Sequence, residues 1–407
     1  MRFPGFNEEW ETKKLGEVMD FKVTNSFSRE NLNYEVGTVK NIHYGDIHTK
    51  FQILFNITNE IVPFINERIN VGRISDENYC REGDIIFADA SENLIDVGKS
   101  IEVINVNGEK LLSGLHTLLA RPKENIFHLG FNGYLFKSNL VRTQIQKESQ
   151  GSKVLSINVG RISKIELSFP IVQEQKRITT LLSLLDERIQ TQNKIIENLK
   201  TQMLGLQEKI FRQKIKSKDS KGKEFPLWDY KNGGELFENS SNKNHNSDLP
   251  ILAITQDQGA IPRDLIDYQI TVTERSVDSY KVVEVGDFII SLRSFQGGIE
   301  YSGYKGICSP AYIILRNKIE INLEFYKYYF KTPDYIKLLN KKLEGIRDGK
   351  MISYGYFSEI FVPFPSLKEQ KRIASFLSSI DQKIETEKAI LEQLKKQKKY
   401  LLQGMFV

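Results

Sequence analysis

Phe169-Pro170-Ile171-Val172-Gln173-Glu174-Gln175-Lys176-Arg177-Ile178 returns 195 positions later as Phe364-Pro365-Ser366-Leu367-Lys368-Glu369-Gln370-Lys371-Arg372-Ile373. The likeness runs on: Leu182-Ser183 recurs as Leu377-Ser378, and Asp186, Ile189, Leu199, Gln202, Leu206 and Phe211 match Asp381, Ile384, Leu394, Gln397, Leu401 and Phe406. Over residues 163–212 and 358–407 roughly 20 of about 50 positions are identical, more than two unrelated helices share, so an internal repeat organises the chain.

Both copies read as helices. Each begins just after a proline, places a glutamate (Glu174, Glu369) in the first turn where the helix dipole favours negative charge, and contains no internal proline. Their apolar residues step by four and three. Ile178, Leu182, Leu185, Ile189, Ile196, Leu199, Met203 and Leu206 form one seam, with Gln192 its polar interruption. Ile373, Leu377, Ile380, Ile384, Leu391, Leu394 and Leu401 form the other, broken by Glu387 and Lys398. A helix over residues 170–212 is about 60 Å long, too long for one small domain to cover, and predicts a coiled coil between the two copies. Parallel pairing would put both globular units at one end, whereas antiparallel pairing puts them at opposite ends and creates a pseudo-two-fold axis across the helices, the symmetry of a reader of two separated half-sites on a duplex.

A weaker repeat precedes each helix. Trp10 and Gly16-Glu17 answer to Trp228 and Gly234-Glu235, and Gly83-Asp84-Ile85-Ile86-Phe87 answers to Gly286-Asp287-Phe288-Ile289-Ile290. The offset shrinks along the chain, as when a second domain of the same kind has shorter loops. The domains expected are therefore a first globular domain at 1–169, a helix at 170–212, a Lys-rich linker at 213–224, a second globular domain at 225–365 and a second helix at 366–407. The globular domains read as α+β. Apolar β-prone runs at 84–88, 101–106 and 280–292 alternate with helical stretches at 129–147 and 323–343, and the two Gly-Asp pairs predict tight turns into strands.

Composition narrows the function classes. The 407 residues carry 57 Lys+Arg against 52 Asp+Glu, a net charge of +5. Each globular domain is at −2, whereas 170–224 and 366–407 carry +5 and +4, so the excess lies on the helices and any anion recognition by the domains must be local. Two cysteines far apart, Cys80 and Cys308, support neither a disulfide framework nor a thiolate metal cluster and suit a reducing cytoplasm. No leader pattern opens the sequence and no run approaches the roughly 18 apolar residues of a membrane span, so neither export nor insertion is expected. Gly98-Lys99-Ser100 ends like a phosphate loop, but Asn93 stands where its first glycine belongs. His43, His48, His116, His128 and His245 form no metal-ligand spacing, and no catalytic group is assigned.

The doubled Phe-Pro and Glu-Gln-Lys-Arg-Ile, the trailing Leu-Ser and Asp, and the alternation of helices with two divergent domains resemble the specificity subunit of type I restriction-modification systems. The resemblance covers essentially the whole chain. The family's Pro-Pro before the helix is here Pro170-Ile171 and Pro365-Ser366. It implies two target recognition domains in pseudo-two-fold arrangement, joined by two long helices as an antiparallel coiled coil that acts as a ruler. It also implies double-stranded DNA, two adenine methyltransferase subunits and endonuclease/translocase subunits as partners. S-adenosylmethionine, ATP and Mg2+ would sit on those partners and none on this chain. The residues alone leave open a bipartite DNA-binding regulator without enzymatic partners, and a coiled-coil scaffold that binds no DNA.

DNA contacts are expected from polar and basic loop residues. In the first domain these are Lys40, Asn41, His43 and Tyr44, then Ser91, Asn93 and Lys99 after the Gly-Asp strand, and Ser152 and Lys153 in a small-residue turn. In the second, Arg293, Ser294 and Gln296 follow the Gly-Asp strand, where an arginine or glutamine suits a guanine or adenine edge. Arg347, Lys350 and Tyr354 form a further candidate segment.

Overall fold

The computed structural model describes residues 2–245, 248–266, 277–341 and 352–406. They form two compact units, Met1–Asn193 with Ile390–Val407, and Lys194–Ala389. The divisions fall inside the two long helices, Val172–Phe211 and Leu367–Met405. Each unit therefore contains one globular domain, the beginning of one long helix and the end of the other.

In the first unit a five-stranded sheet runs in the order Met19–Lys22, Thr117–Pro122, Ile85–Ala88, Ser100–Asn105, Leu54–Asn56, antiparallel except for the last pair. Ile85–Ala88 is buried at every position, as an apolar run covered on both faces must be. A second sheet holds Lys110–Ser113, Val39–Ile42, Phe64–Ile65 and Leu32–Asn33. Glu11–Lys14 pairs with Glu166–Phe169 immediately before the long helix.

The second unit keeps this skeleton and shortens it. Phe237–Ser240, Ile313–Asn317, Phe288–Ile290 and Glu300–Tyr301 form its sheet, and Asp229–Asn232 pairs with Phe361–Phe364 before the other long helix. Where the first unit has its four-stranded sheet, the described residues of the second have two strand pairs, Leu252–Thr255 with Gly259–Pro262 and Lys281–Val283 with Gly306–Cys308. The shrinking offset of the sequence repeat belongs to this difference.

The repeated residues hold the same joints in both units. Gly83 and Gly286 take the left-handed conformation at φ +87° and +97°, making the turn into the central strand. The aspartates that follow are buried. Asp84 accepts from the Arg81 N–H at 2.7 Å, Asp287 from the Glu284 N–H at 2.8 Å. Each also receives a two-pronged arginine from the neighbouring strand: Arg121 Nε and Nη2 reach Asp84 at 2.7 Å each, and Arg316 Nε and Nη2 reach Asp287 at 2.9 and 2.6 Å. The glutamine of the repeated Glu-Gln-Lys-Arg-Ile fastens each helix to its domain. Gln175 Nε2 donates to the Pro170 carbonyl while its Oε1 accepts from the His128 N–H, and Gln370 does the same with Pro365 and Asn322. The glutamates beside them are bound by the segment that enters each unit, Glu174 by Arg2 at 2.6 Å and Glu369 by Ser217 Oγ at 2.5 Å.

The helices exchange ends. Phe406, closing the second helix, packs edge-on to Trp10 at 6.3 Å between ring centres and against Phe131 at 5.7 Å, inside the first unit's core. Phe211, closing the first helix, meets Trp228 at 6.2 Å and Phe325 at 5.2 Å in the second unit. Within the first unit Lys398 pairs with Asp186, while Met405 and Phe406 share the core with Ile178 and Leu182. Rising numbers on one helix thus run beside falling numbers on the other, and the pairing is antiparallel. In the second unit Gln207 binds the Tyr328 carbonyl, the Tyr328 hydroxyl binds Asp381 at 2.7 Å, and Ser217 meets Glu369, again antiparallel. Of the expected seams, Ile178, Leu182, Leu185, Ile196, Met203, Ile373, Leu377, Ile384, Leu391 and Leu394 are buried. Ile189, Leu199, Leu206, Ile380 and Leu401 are half-buried, and Gln192 is buried among them.

Three local expectations are corrected. The helical stretch expected at 129–147 is two helices, Phe131–Leu135 and Asn139–Glu148, because the Ser138 hydroxyl accepts from the Val141 N–H and starts a new helix. That at 323–343 splits likewise into Leu323–Tyr329 and Pro333–Leu339, with Thr332 as cap and Pro333 in the first turn. The apolar run at 280–292 is two strands, Lys281–Val283 and Phe288–Ile290, parted by the Gly286 turn.

Candidate nucleic-acid interface

Three stretches far apart in the first domain's sequence come together on one face. The Tyr44–Thr49 helix brings His48, whose Nε2 lies 3.0 Å from the Ala90 carbonyl. Ala90–Ser91 pairs with Leu155–Ser156, which carries the exposed turn of Ser152 and Lys153. Lys99 reaches the His48 carbonyl at 3.5 Å and pairs with Asp96 at 2.5 Å. Asn93 is exposed and braces the same loop, its side chain bonding the Asp96 carboxylate and N–H at 2.9 and 2.8 Å. Ser91 is buried and accepts from the Asn93 N–H, so it shapes the loop.

Tyr44 stands in an aromatic cluster with His43 at 4.6 Å, His48 at 5.9 Å and His116 at 5.3 Å. His43 caps the helix by accepting from the Gly45 N–H. Burial, then the Arg29 guanidinium, push its imidazole down to about 4, which leaves it uncharged at neutral pH. His116, whose Nδ1 is 3.3 Å from Asp89, and His48 belong to this face and were not singled out by the sequence, because only the fold brings them to Tyr44. Lys40 is engaged with Glu109 at 2.7 Å and lies over the Phe64 ring. Asn41 is fully buried with its Oδ1 bound by Asn25 Nδ2 at 2.7 Å, so it offers nothing to a surface partner.

In the second unit the segment after the Gly-Asp strand is a short helix, Ser294–Gly297, with Arg293 as its cap residue. Ser294 is buried and accepts from the Ser291 N–H at 2.9 Å, holding the turn. Arg293 and Gln296 are exposed, and their side chains have no partner among the described residues. The hairpin tip at 256–258 stands beside them, the Gln256 side chain reaching the Arg293 carbonyl at 3.4 Å. The Gln256-Asp257-Gln258-Gly259 turn, with Gly259 at φ +73°, carries a hairpin signal in the sequence. Tyr354 spends its hydroxyl on the Phe237 carbonyl at 2.9 Å and is tied into the domain. Arg347 and Lys350 lie outside the described residues.

The two sites occupy the same position in the repeated skeleton, between the Gly-Asp strand and the strand that follows, and carry unlike side chains. Asn93 and Lys99 stand on one, with Lys153 near them, and Arg293 and Gln296 on the other, with Gln256 beside them. Among the described residues no group of three or more His, Cys, Asp or Glu is disposed to hold a metal ion, and no helix is long and apolar enough to cross a membrane. A doubled scaffold bearing two different polar loops defines a two-domain recognition protein. The type I restriction modification DNA specificity domain matches residues 7–201 and again 226–396, so the chain belongs to that family. It is a specificity subunit with two DNA-recognition domains, a noncatalytic component.

A putative type I restriction enzyme MjaX specificity subunit of Methanocaldococcus jannaschii is 27% identical over 97% of this chain and 92% of its own length. The MjaVIII specificity subunit of the same organism is 28% identical over 66% of this chain and 68% of its own. The crystal structure of a type I restriction-modification S subunit from M. genitalium shares the fold, with a TM-score of 0.56, 16% identity, and coverage of 100% of this chain and 99% of that one.

Proposed function

We propose that residues 1–169 and 225–365 each read one half of a bipartite duplex sequence, and that the helices at 170–212 and 366–407 fix the spacing between the halves, with 213–224 as a linker. The observation that carries this reading is the pair of unlike polar loops on equivalent places of one scaffold. In the first domain Tyr44, Asn93, Lys99, Ser152 and Lys153 face the duplex, positioned by His43 and Ser91. In the second, Arg293 and Gln296 do so, positioned by Ser294 and joined by Gln256. An exposed arginine or glutamine has the donor and acceptor pattern for a guanine or adenine edge, and lysines beside small residues suit phosphate.

Two adenine methyltransferase subunits dock on the helices, and endonuclease/translocase subunits join them for restriction. The methyl donor, ATP and Mg2+ belong to those partners, and the assembly works in the cytoplasm. Flipping the target adenine falls to the methyltransferase while this chain grips the flanking duplex. Coexpression with the adenine methyltransferase, followed by mapping of methylated adenines, tests the reading. A bipartite methylated motif is expected, with Arg293→Ala relaxing one half only. A stable complex that leaves no bipartite motif, or a change in both halves, refutes it.

A further inference from the structure

A cleft of about 440 Å³ opens in the first unit where the start of the first long helix and the end of the last one meet the turn at 137–139. Lys137, Asn139, Asp186, Lys395, Lys398 and Lys399 line it. The one carboxylate is already engaged, since Asp186 takes both the Lys398 ammonium and the Tyr134 hydroxyl, and Lys395 pairs outward with Glu392. Lys137 and Lys399 have no side-chain hydrogen bond or ion pair among the described residues. Burial pulls the Lys137 ammonium down to about 8, with the nearby cations Arg142, Lys99 and Lys398 adding to the effect and Asp96 opposing it.

The second unit shows that the fold does not need this. Lys331 occupies the place of Lys137, but it is neutralised by the buried Glu300 at 2.5 Å and by the Gln256 carbonyl at 3.1 Å. In the first unit the residue at the place of Glu300 is the buried Ile101, since the Gly83 and Gly286 N–H groups bind the equivalent Val103 and Ser302 carbonyls, so Lys137 has no matching acid. The repeat aligns Lys398 and Lys399 with Met203 and Leu204, so the second unit has apolar residues where the first has two lysines. With Lys395 and Lys398 already paired, Lys137 and Lys399 are the two unbalanced cations of one concavity, and they repel one another unless an anion sits between them.

We propose that this cleft binds phosphate oxyanions, and that the phosphodiester backbone of the bound duplex supplies them, giving the first unit a sequence-independent grip that the second lacks. Lys99 of the candidate recognition loop is among the cations acting on Lys137, which joins the cleft electrostatically to that face. The proposal rests on the reading of the chain as a duplex-binding subunit. A compact polyphosphate would satisfy the same lysines, so both sources are tested.

The full chain and its Lys137→Gln/Lys399→Gln variant are titrated with a duplex of arbitrary sequence and, separately, with inorganic tripolyphosphate. Loss of two phosphate contacts lowers the slope of log K against log salt by about 2, so the wild type's advantage on the duplex shrinks about 12-fold between roughly 50 and 200 mM salt. Lys137→Arg/Lys399→Arg restores both affinity and slope. If only tripolyphosphate binding is lost, the site is a phosphate site whose ligand is a free polyphosphate, and the duplex assignment is overturned. If neither probe distinguishes variant from wild type, the cleft is not a phosphate site. A wild type that binds no duplex sinks the functional reading itself, and tripolyphosphate then still decides the cleft.

Discussion

Phe406 is 396 residues beyond Trp10, next to the second domain in sequence, yet its ring lies in the core of the first unit at 5% exposure. Replacing it with alanine removes its packing on Trp10 and Phe131 and leaves a cavity, a loss of about 3–5 kcal/mol for a buried phenylalanine. At about 1.4 kcal/mol per tenfold, amide protons protected by opening of that core exchange about 100- to 4,000-fold faster. Native-state hydrogen exchange read by mass spectrometry resolves where this happens. Protection should fall in Ile85–Ala88 and Phe131–Leu135 of the first unit and persist in Phe288–Ile290 and Leu323–Tyr329 of the second. Phe211→Ala should do the opposite, by a smaller amount because that ring is half-exposed among Trp228, Phe325 and Tyr329. Loss of protection in the second unit on Phe406→Ala would refute the exchange of helix ends.

Arg316→Leu strands the buried Asp287 carboxylate and should cost about 3–5 kcal/mol by denaturant titration, while Asp287→Asn/Arg316→Leu recovers most of it; equal losses would sink the pairing argument. Burial pushes the Glu102 carboxyl up to about 7 from its ordinary 4.5, against the pull of the Gly130 and Gly133 N–H groups. The folded first unit therefore holds an extra proton between those values. The stabilisation from this group is present below pH 4.5 and is lost as pH rises to about 7, a swing of about 3 kcal/mol. Urea midpoints at either end of that window should converge in Glu102→Gln, and a variant that keeps the full slope contradicts the assignment. Removing one heptad from both long helices shortens each by about 10 Å, and the mapped methylation motif should lose about three base pairs of spacer with both half-sequences intact; an unchanged spacer refutes the ruler.

The candidate site was only partly legible in the sequence. Arg293 and Gln296 could be singled out because a Gly-Asp turn, an apolar strand and a polar loop follow each other locally. Asn41 and Ser294 read as surface polars but are buried, since a side chain's exposure depends on what distant segments cover it. Gln256 and His116 enter the two faces only through strand pairing and ring contacts across the domain.

The sequence by itself determined the doubling, the two long helices and their seams, and the strands behind each Gly-Asp turn, because periodicity and turn chemistry act over a few residues. Only the tertiary structure decided which core receives each helix end. Trp10 and Phe406, like Arg121 and Asp84, have no local signal linking them, and sheet pairing and the antiparallel run of the helices bring them together. The same long-range packing sets Lys137 beside Lys398 and Lys399 in one unit and Lys331 beside Glu300 in the other, so two copies of one plan end with different charge balance at one place.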